Sequence, residues 1–417
     1  MNFTDTHIEA QSEAESEAQH GAKDQRLRER FSAEVETWLD GNLPKGMGPA
    51  ACRQPSSGDW PALNQLRLRL GKKGWLAVQE PQQGFETVLA EALEKRGLAW
   101  MRDQATEALN IALDAWATPP QIQEFDGPLT RREPVVWITW LELDTDVDVS
   151  RIGISATEDG DDYVVDGRGL FQGIGPQPDL LWALVKLGTG SGPENPGLGS
   201  ICSCLIPTGS PGIVYPRSRT LTPGVPRVVI FNQVRVPRYL MLGPPRDGAM
   251  VMQSATAAAT HGQDPHAGDA EAAWLQGFLL DTVSNRVDPD QREILQQSVM
   301  DSYIDARVSR LFRIRDAWMR AHSEITTYQP AQTRLWESRA AMRLAETARQ
   351  VLGPYSLLDY LDSRAPAEGR FEQQQRRSLD QNSSGSQWLA GRDSIARHLG
   401  LGRQAPGPVP AEAPEPV

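Results

Sequence analysis

From residue 135 to residue 238 the large apolar residues of this chain fall at every second position, in short runs broken by Gly, Pro and Asp. On both sides they recur every three or four residues. A spacing of two suits a strand that buries one face, and a spacing near 3.6 suits a helix that does the same. A chain that changes period twice in this way is restricted to helical units flanking a β unit, an α+β arrangement. The middle stretch holds about seven such runs: "PVVWITWLEL", "RIGISAT", "DYVVDG", "LLWALVKLG", "SICSCLIPT", "GIVYPRS" and "RVVIFNQVRVP". That is the spacing of a small antiparallel sheet system or barrel. Within it, "EDGDDYVVDGRGLFQG" begins as a hairpin: an Asp-Gly turn enters the alternating Tyr163, Val164 and Val165, and Asp166-Gly167 signals a further turn. The corner that follows, Phe171-Gln172-Gly173, carries no obvious catalytic side chain and feeds straight into the next run.

The flanks are read from their helical stripes and stop signals. Phe31, Val35, Trp38 and Leu39 share one face of a helix that Gly41 and Pro44 end, and two more helices run through "ALNQLRLRLGKKGW" and "FETVLAEALEKRG". Beyond Gly248, Leu295, Val299, Ile304, Val308, Leu311, Phe312 and Trp318 form one broad stripe on a long helix. A later helix, "RLAETARQVLGP", ends at Gly353-Pro354. The expected organisation is an acidic disordered tail at 1–23, an N-terminal helical domain at 24–134, a β-barrel domain at 135–240, a C-terminal helical bundle at 241–403 and a Pro-rich tail at 404–417.

Composition narrows the chemistry mostly by exclusion. A formal charge of -12 over 417 residues disfavours nucleic acid or an anionic membrane as partner. No run approaches the ~18 apolar residues of a membrane span, and Cys52, Cys202 and Cys204 read as buried free thiols in a reducing cytoplasm. The Asp144, Asp146, Asp148 series lacks the Gly and Glu of a calcium loop, since those places hold Val149 and Ser155. The glycine-rich 188–199 segment opens no helix and has no P-loop lysine. No histidine pair at zinc spacing and no serine nucleophile elbow is present, so no metal is expected. Trp75, Trp137, Trp140 and Trp182 suit either core or stacking on a planar cofactor.

Five phrases, in order, resemble the acyl-CoA dehydrogenase family: "FSAEVETWLDGNLP", "EDGDDYVVDGRG", "GIVYPRS" through "VIFNQVRVPRYLMLG", "RQVLGPYSLL" and "GRDSIARHLGLGR". The resemblance spans roughly residues 28 to 403. It implies the acyl-CoA dehydrogenase-like fold of an N-terminal helical domain, a middle β-barrel and a C-terminal four-helix bundle. It also implies FAD as cofactor and α,β-dehydrogenation of an acyl-CoA thioester, from fatty acid or steroid side-chain metabolism, in a cytoplasmic homo- or hetero-oligomer (dimer or tetramer) with a paralogous subunit.

Carried over by register, the family's flavin-covering loop falls on residues 141–148, of which Glu142 and Asp148 match. The cofactor-binding positions become Trp140, Leu141, Phe171 and Gln172, with Gln350 and Gly353 reaching a dimer-related FAD; Pro354 replaces that motif's second glycine. The resemblance implies that Phe171 stacks and Gln172 donates a hydrogen bond. The two places where the family carries its glutamate base hold Gly385 and Thr260, and His261 is the neighbouring group that titrates near neutrality. Three readings follow: a dehydrogenase whose degenerate site a partner completes, a non-catalytic pseudoenzyme or structural subunit, or a family-related monooxygenase or other flavin chemistry that needs no thioester base.

Overall fold

The structure, a computed structural model, describes residues 25–401 except 50–51, 53–57, 77–84, 140–151, 189–200, 217–226, 262–267 and 384. The two expected tails therefore lie almost wholly outside the described residues, as do the Asp144–Asp148 series and nearly all of the glycine-rich 188–199 segment. Among the described residues, five α-helices come first: α1 over 25–42, α2 Trp60–Lys72, α3 Phe85–Lys95, α4 Gln104–Trp116 and α5 Pro119–Thr130. Val35 and Leu39 of α1 bury against Leu63, Leu66 and Leu70 of α2 and Leu89 and Leu93 of α3, with Trp38 and Trp75 packed at the margin of the same core. Asp103 caps α4 by accepting from the Ala105 and Thr106 amides. Arg67 is fully buried yet served: it donates to the carbonyls of Arg132 and Glu133 and to Asn64 Oδ1, so its charge ties α2 to the chain entering the sheet.

Eight described strands form one sheet: β1 Val136–Thr139, β2 Ile154–Asp159, β3 Asp162–Gly173, β4 Leu180–Leu187, β5 Ile201–Pro207, β6 Ile213–Val214, β7 Arg227–Pro237 and β8 Met241–Leu242. Their path is β6-β7-β3-β1-β4-β5-β8, and both β1 and β2 lie between β3 and β4. β1 and β2 thus behave as one strand position interrupted by residues 140–153. The hairpin is where the alternation placed it: Asp159 faces Asp162 across Gly160-Asp161, and Gly160 takes φ 63. Asp166-Gly167, expected as a turn, is instead mid-strand.

The reason lies across the sheet, where the one residue of β3 between Val165 and Gly167 opposes two of β7 between Val234 and Phe231. The extra residue is a bulge at Asn232-Gln233, where Gln233 adopts φ 51. Asp166 receives the Gln233 amide at 2.8 Å and the Gln233 side chain as well. A Cβ on Gly167 would strike the Gly153 carbonyl. Asp-Gly here builds the seat of a bulge, using the same freedoms that make it common in turns. Along β7 the buried positions accordingly switch from Val229 and Phe231 to Val234 and Val236.

After the sheet come α6 Gly248–His261, α7 Asp269–Arg286, α8 Pro289–Ala321, α9 Gln329–Leu352, α10 Arg370–Ser383 and α11 Gly385–His398. Val251, Met252 and Ala255 of α6 join the core that holds the sheet and α4, so this core runs across both boundaries expected at 134/135 and 240/241. The other helices gather around α9, which contacts α7, α8, α10 and α11.

The long stripe on α8 departs from expectation. Val299 is buried, but Ile304, Leu311 and Trp318 are 53%, 63% and 53% exposed, and the other inward residues are Ser302, Asp305, Ser309 and Asp316. The inner face is polar because the neighbouring α9 meets it with polar groups: Arg343 Nε lies 2.5 Å from Asp305 Oδ2, and the Thr333 hydroxyl donates to Asp316, which Arg315 of α8 itself also binds. Cys52, Cys202 and Cys204 are buried and free, as the sequence implied.

Candidate functional site: the Phe-Gln-Gly corner

The pairing Thr139↔Phe171, Ile138↔Gln172 and Trp137↔Gly173 fixes the corner. Thr139, the last described residue of β1, is thus the neighbour of Phe171. Trp140 and Leu141 themselves lie outside the described residues.

Successive residues of a strand face opposite sides. Phe171 and Gly173 share one side and Gln172 takes the other. Phe171 is fully buried against Phe231, ring centroids 5.9 Å apart, and is core rather than a stacking surface. That is a correction to the expected role, and its cause is the strand's inward parity at residues 163, 165 and 171. Gln172 is partly exposed, and no described residue accepts a hydrogen bond from its amide.

Several groups that sequence reasoning did not assemble complete the corner. The Trp137 ring lies where a Cβ on Gly173 would sit, and its Nε1 donates to the Ile174 carbonyl at 2.7 Å. Arg227, opposite Phe171 on β7, lies 4.6 Å over the Trp137 ring and donates to the Gly175 and Pro176 carbonyls at 2.8 and 3.0 Å. Burial holds its guanidinium pKa below the ordinary value. Tyr215 meets Trp137 edge-on at 6.1 Å; its hydroxyl is buried with no partner among the described residues, and burial pushes its pKa up to about 12. Gly175, at φ 74, leaves room for the Trp60 ring from α2. The available signals were Trp137, already marked as able to stack, and the Arg and Tyr within the β7 and β6 runs. Trp182 is core, with its Nε1 bound to Ser203 Oγ at 2.5 Å.

The remaining expected positions sit elsewhere. Gln350 and Gly353 are at the C-terminal end of α9: Gln350 donates to Glu346 at 3.1 Å, and Gly353 caps the helix at φ 57. Gly385 is the first residue of α11, only two positions beyond the end of α10, so the place of a base-carrying loop is taken by a helix start. Thr260 and His261 close α6, with side chains outside the described ones.

No family model and no curated protein matches this chain. Solved structures do. The Tcur3481-Tcur3483 steroid ACAD superposes with a TM-score of 0.71 at 19% identity over 92% of this chain and 98% of its own. The acyl-CoA dehydrogenase from Geobacillus kaustophilus gives 0.70 at 19% over 89% and 98%. The fold is that of the acyl-CoA dehydrogenases. PigA with FAD and proline shares it too, at 0.69 and 16% identity over 90% and 98%.

Within this acyl-CoA dehydrogenase fold, a flavin at the corner can be tested against the residues present. Gln172 fits, being partly exposed and without an acceptor for its amide among the described residues. Phe171 does not fit, because its ring is enclosed, and the Trp137, Tyr215 and Arg227 cluster lies on the side of the sheet that Phe171 and Gly173 share, opposite Gln172. This chain's described residues do not make a complete flavin site. Among the described residues no three His, Cys, Asp or Glu side chains gather as metal ligands, and no helix is long and apolar enough to cross a membrane.

Proposed function

We propose that this chain is a subunit of a cytoplasmic, FAD-dependent acyl-CoA dehydrogenase-type oxidoreductase, whose reaction site is completed by a paralogous subunit. The substrate would be an acyl-CoA thioester with a fatty or steroid side chain, dehydrogenated at its α and β carbons. The observation that carries the reading is the fold shared over nine tenths of the chain, together with Gln172, which stands at the position resembling the family's flavin-flanking corner, is partly exposed and has no hydrogen-bond partner among the described residues. A partner is supported by Gly385, which offers no base, by Gln350 and Gly353 on a separate unit from the corner, and by the outward apolar residues of α8. It is further supported by the steroid ACAD that shares the fold, which carries the names of two proteins. Co-expression with each paralogue, followed by absorbance and anaerobic addition of acyl-CoA, tests it. The expected result is a yellow complex that the thioester bleaches; complexes that all stay colourless contradict it.

The enclosure of Phe171 favours a second reading, a non-catalytic structural subunit that keeps the fold and the interface. The two separate at Gln172. If the residue faces flavin, Gln172→Ala shifts the bound-flavin spectrum of the complex; in a structural subunit the spectrum is unchanged.

A further inference from the structure

A groove of about 930 Å³ runs between α9, α10 and α11, remote in sequence from the corner. That volume lies within the range of small-molecule sites, roughly 300–1,000 Å³. Its floor is apolar: Trp336 and Met342 of α9, Leu379 of α10 and Ile395 of α11. Its charged lining is Arg339, Arg343, Arg349 and Arg392 against Glu346 alone, on a protein whose overall charge is -12. Arg349 is offset by Glu346 and Arg343 by Asp301 and Asp305 behind the lining, which leaves Arg339 as the cation turned to the groove without a close carboxylate among the described residues.

The arginines are arranged as receptors for an anion. Glu346 is taken up by Arg349, which donates to both its carboxylate oxygens at 2.6 and 2.7 Å, so the one acid in the lining is already neutralised. Arg343 is braced from behind by Asp305 and Asp301, which fixes its direction. Arg339 is stacked 4.7 Å over the Trp336 ring and reaches Asp305 only at 3.7 Å, leaving its terminal nitrogens without a hydrogen-bond acceptor among the described residues. A planar donor fork stacked over an aromatic ring is a favourable seat for a carboxylate or a phosphate.

We propose that this groove is a second binding site, separate from the corner, for an amphipathic anion: an aliphatic chain ending in a carboxylate or phosphate. The headgroup meets Arg339 and Arg343, and the chain lies along Met342, Leu379 and Ile395. A purely apolar occupant would leave the cations unused, and a small inorganic anion would leave the apolar floor wet.

The test is calorimetric titration of the full chain with dodecanoate, dodecyl phosphate and methyl dodecanoate. Saturable binding of an anionic probe is expected, with the neutral ester at least ~10-fold weaker, the scale of a charge-assisted hydrogen bond. Tighter dodecanoate than dodecyl phosphate assigns the headgroup as a carboxylate, and the reverse order as a phosphate ester. Arg339→Gln and the half-exposed Met342→Glu should each weaken binding about 10-fold or more, while Arg364→Gln, at an exposed pair outside the groove, leaves it unchanged. Absence of saturation, equal binding of the neutral ester, or indifference to both groove variants overturns the proposal. So does sedimentation showing that Met342→Glu breaks an oligomer while no probe binds, which makes the groove a subunit contact.

Discussion

Tyr215 shows what a single buried side chain costs when only its ring is served. The ring packs edge-on against Trp137, yet the hydroxyl is buried with no acceptor or donor among the described residues. Leaving a buried polar atom unpaired costs about 1–3 kcal/mol, and removing it avoids that cost. Tyr215→Phe should therefore keep or raise stability at neutral pH, by up to ~1 kcal/mol, read from the urea midpoint. Its pH dependence has a definite sign. Burial raises the folded hydroxyl from its ordinary value of 10.0 up to about 12, so the unfolded chain loses this proton first as pH rises. The stability it contributes is full below the unfolded value and is lost as pH climbs through the folded one. The midpoint of the Phe variant should exceed that of the natural chain by a margin that grows across this window. A midpoint that falls on substitution shows that the hydroxyl has a partner. Arg227, beside it, illustrates the opposite outcome: its charge is also withdrawn from water but is met by two carbonyls and an indole face.

Elements in this molecule are placed as much by what is missing as by what is present. Gly248 opens α6 where a Cβ would strike the backbone of Cys202 and Ser203 in β5, whereas Gly277, exposed within α7, has open space around it. Gly248→Ala should lower stability by about 1–3 kcal/mol, because two backbones would have to move apart. Gly277→Ala should raise it by about 0.5–1 kcal/mol through helix propensity. Chemical denaturation of the pair checks this, and equal effects at the two sites contradict the packing of α6 on β5. The same element shows where sequence reading stops. The period marks α6 as a helix and the β runs as strands, and Asp-Gly correctly marks the hairpin at Gly160. Periodicity carries no information on which neighbour a face meets, so sequence alone assigns α6 to the bundle while its apolar residues join the sheet's core. The bulge is written as two adjacent polar residues, Asn232-Gln233, but its seat at Asp166-Gly167 reads identically to a turn. Phe171 is legible as an aromatic at a resembling position, but not as an inward one, because that depends on strand parity set across the sheet. β8, two residues long, is too short for any period.

At the scale of the whole molecule, apolar surface is distributed unevenly. The sheet and its flanking helices share a large continuous core, whereas the bundle's own buried apolar set is small: Leu275, Leu279, Val283, Val299, Leu344, Ala348 and Phe371. Ile304, Leu311 and Trp318, spaced by one heptad each, instead line the outside of α8. Large apolar residues repeated along one exposed helix face suit contact with another chain. Leu311→Glu should leave the helical content unchanged and shift the sedimenting species towards monomer; an unaltered assembly contradicts the role given to α8. The central claim is that this chain carries part of a flavin site and borrows the rest. Its most direct test is the ratio of FAD to protein after gentle purification, measured by visible absorbance for the chain alone and for the chain co-expressed with its paralogues. Substoichiometric flavin is expected for the chain alone and a fixed, saturated ratio for one of the complexes. Full occupancy in the chain alone, or none in every complex, would contradict it.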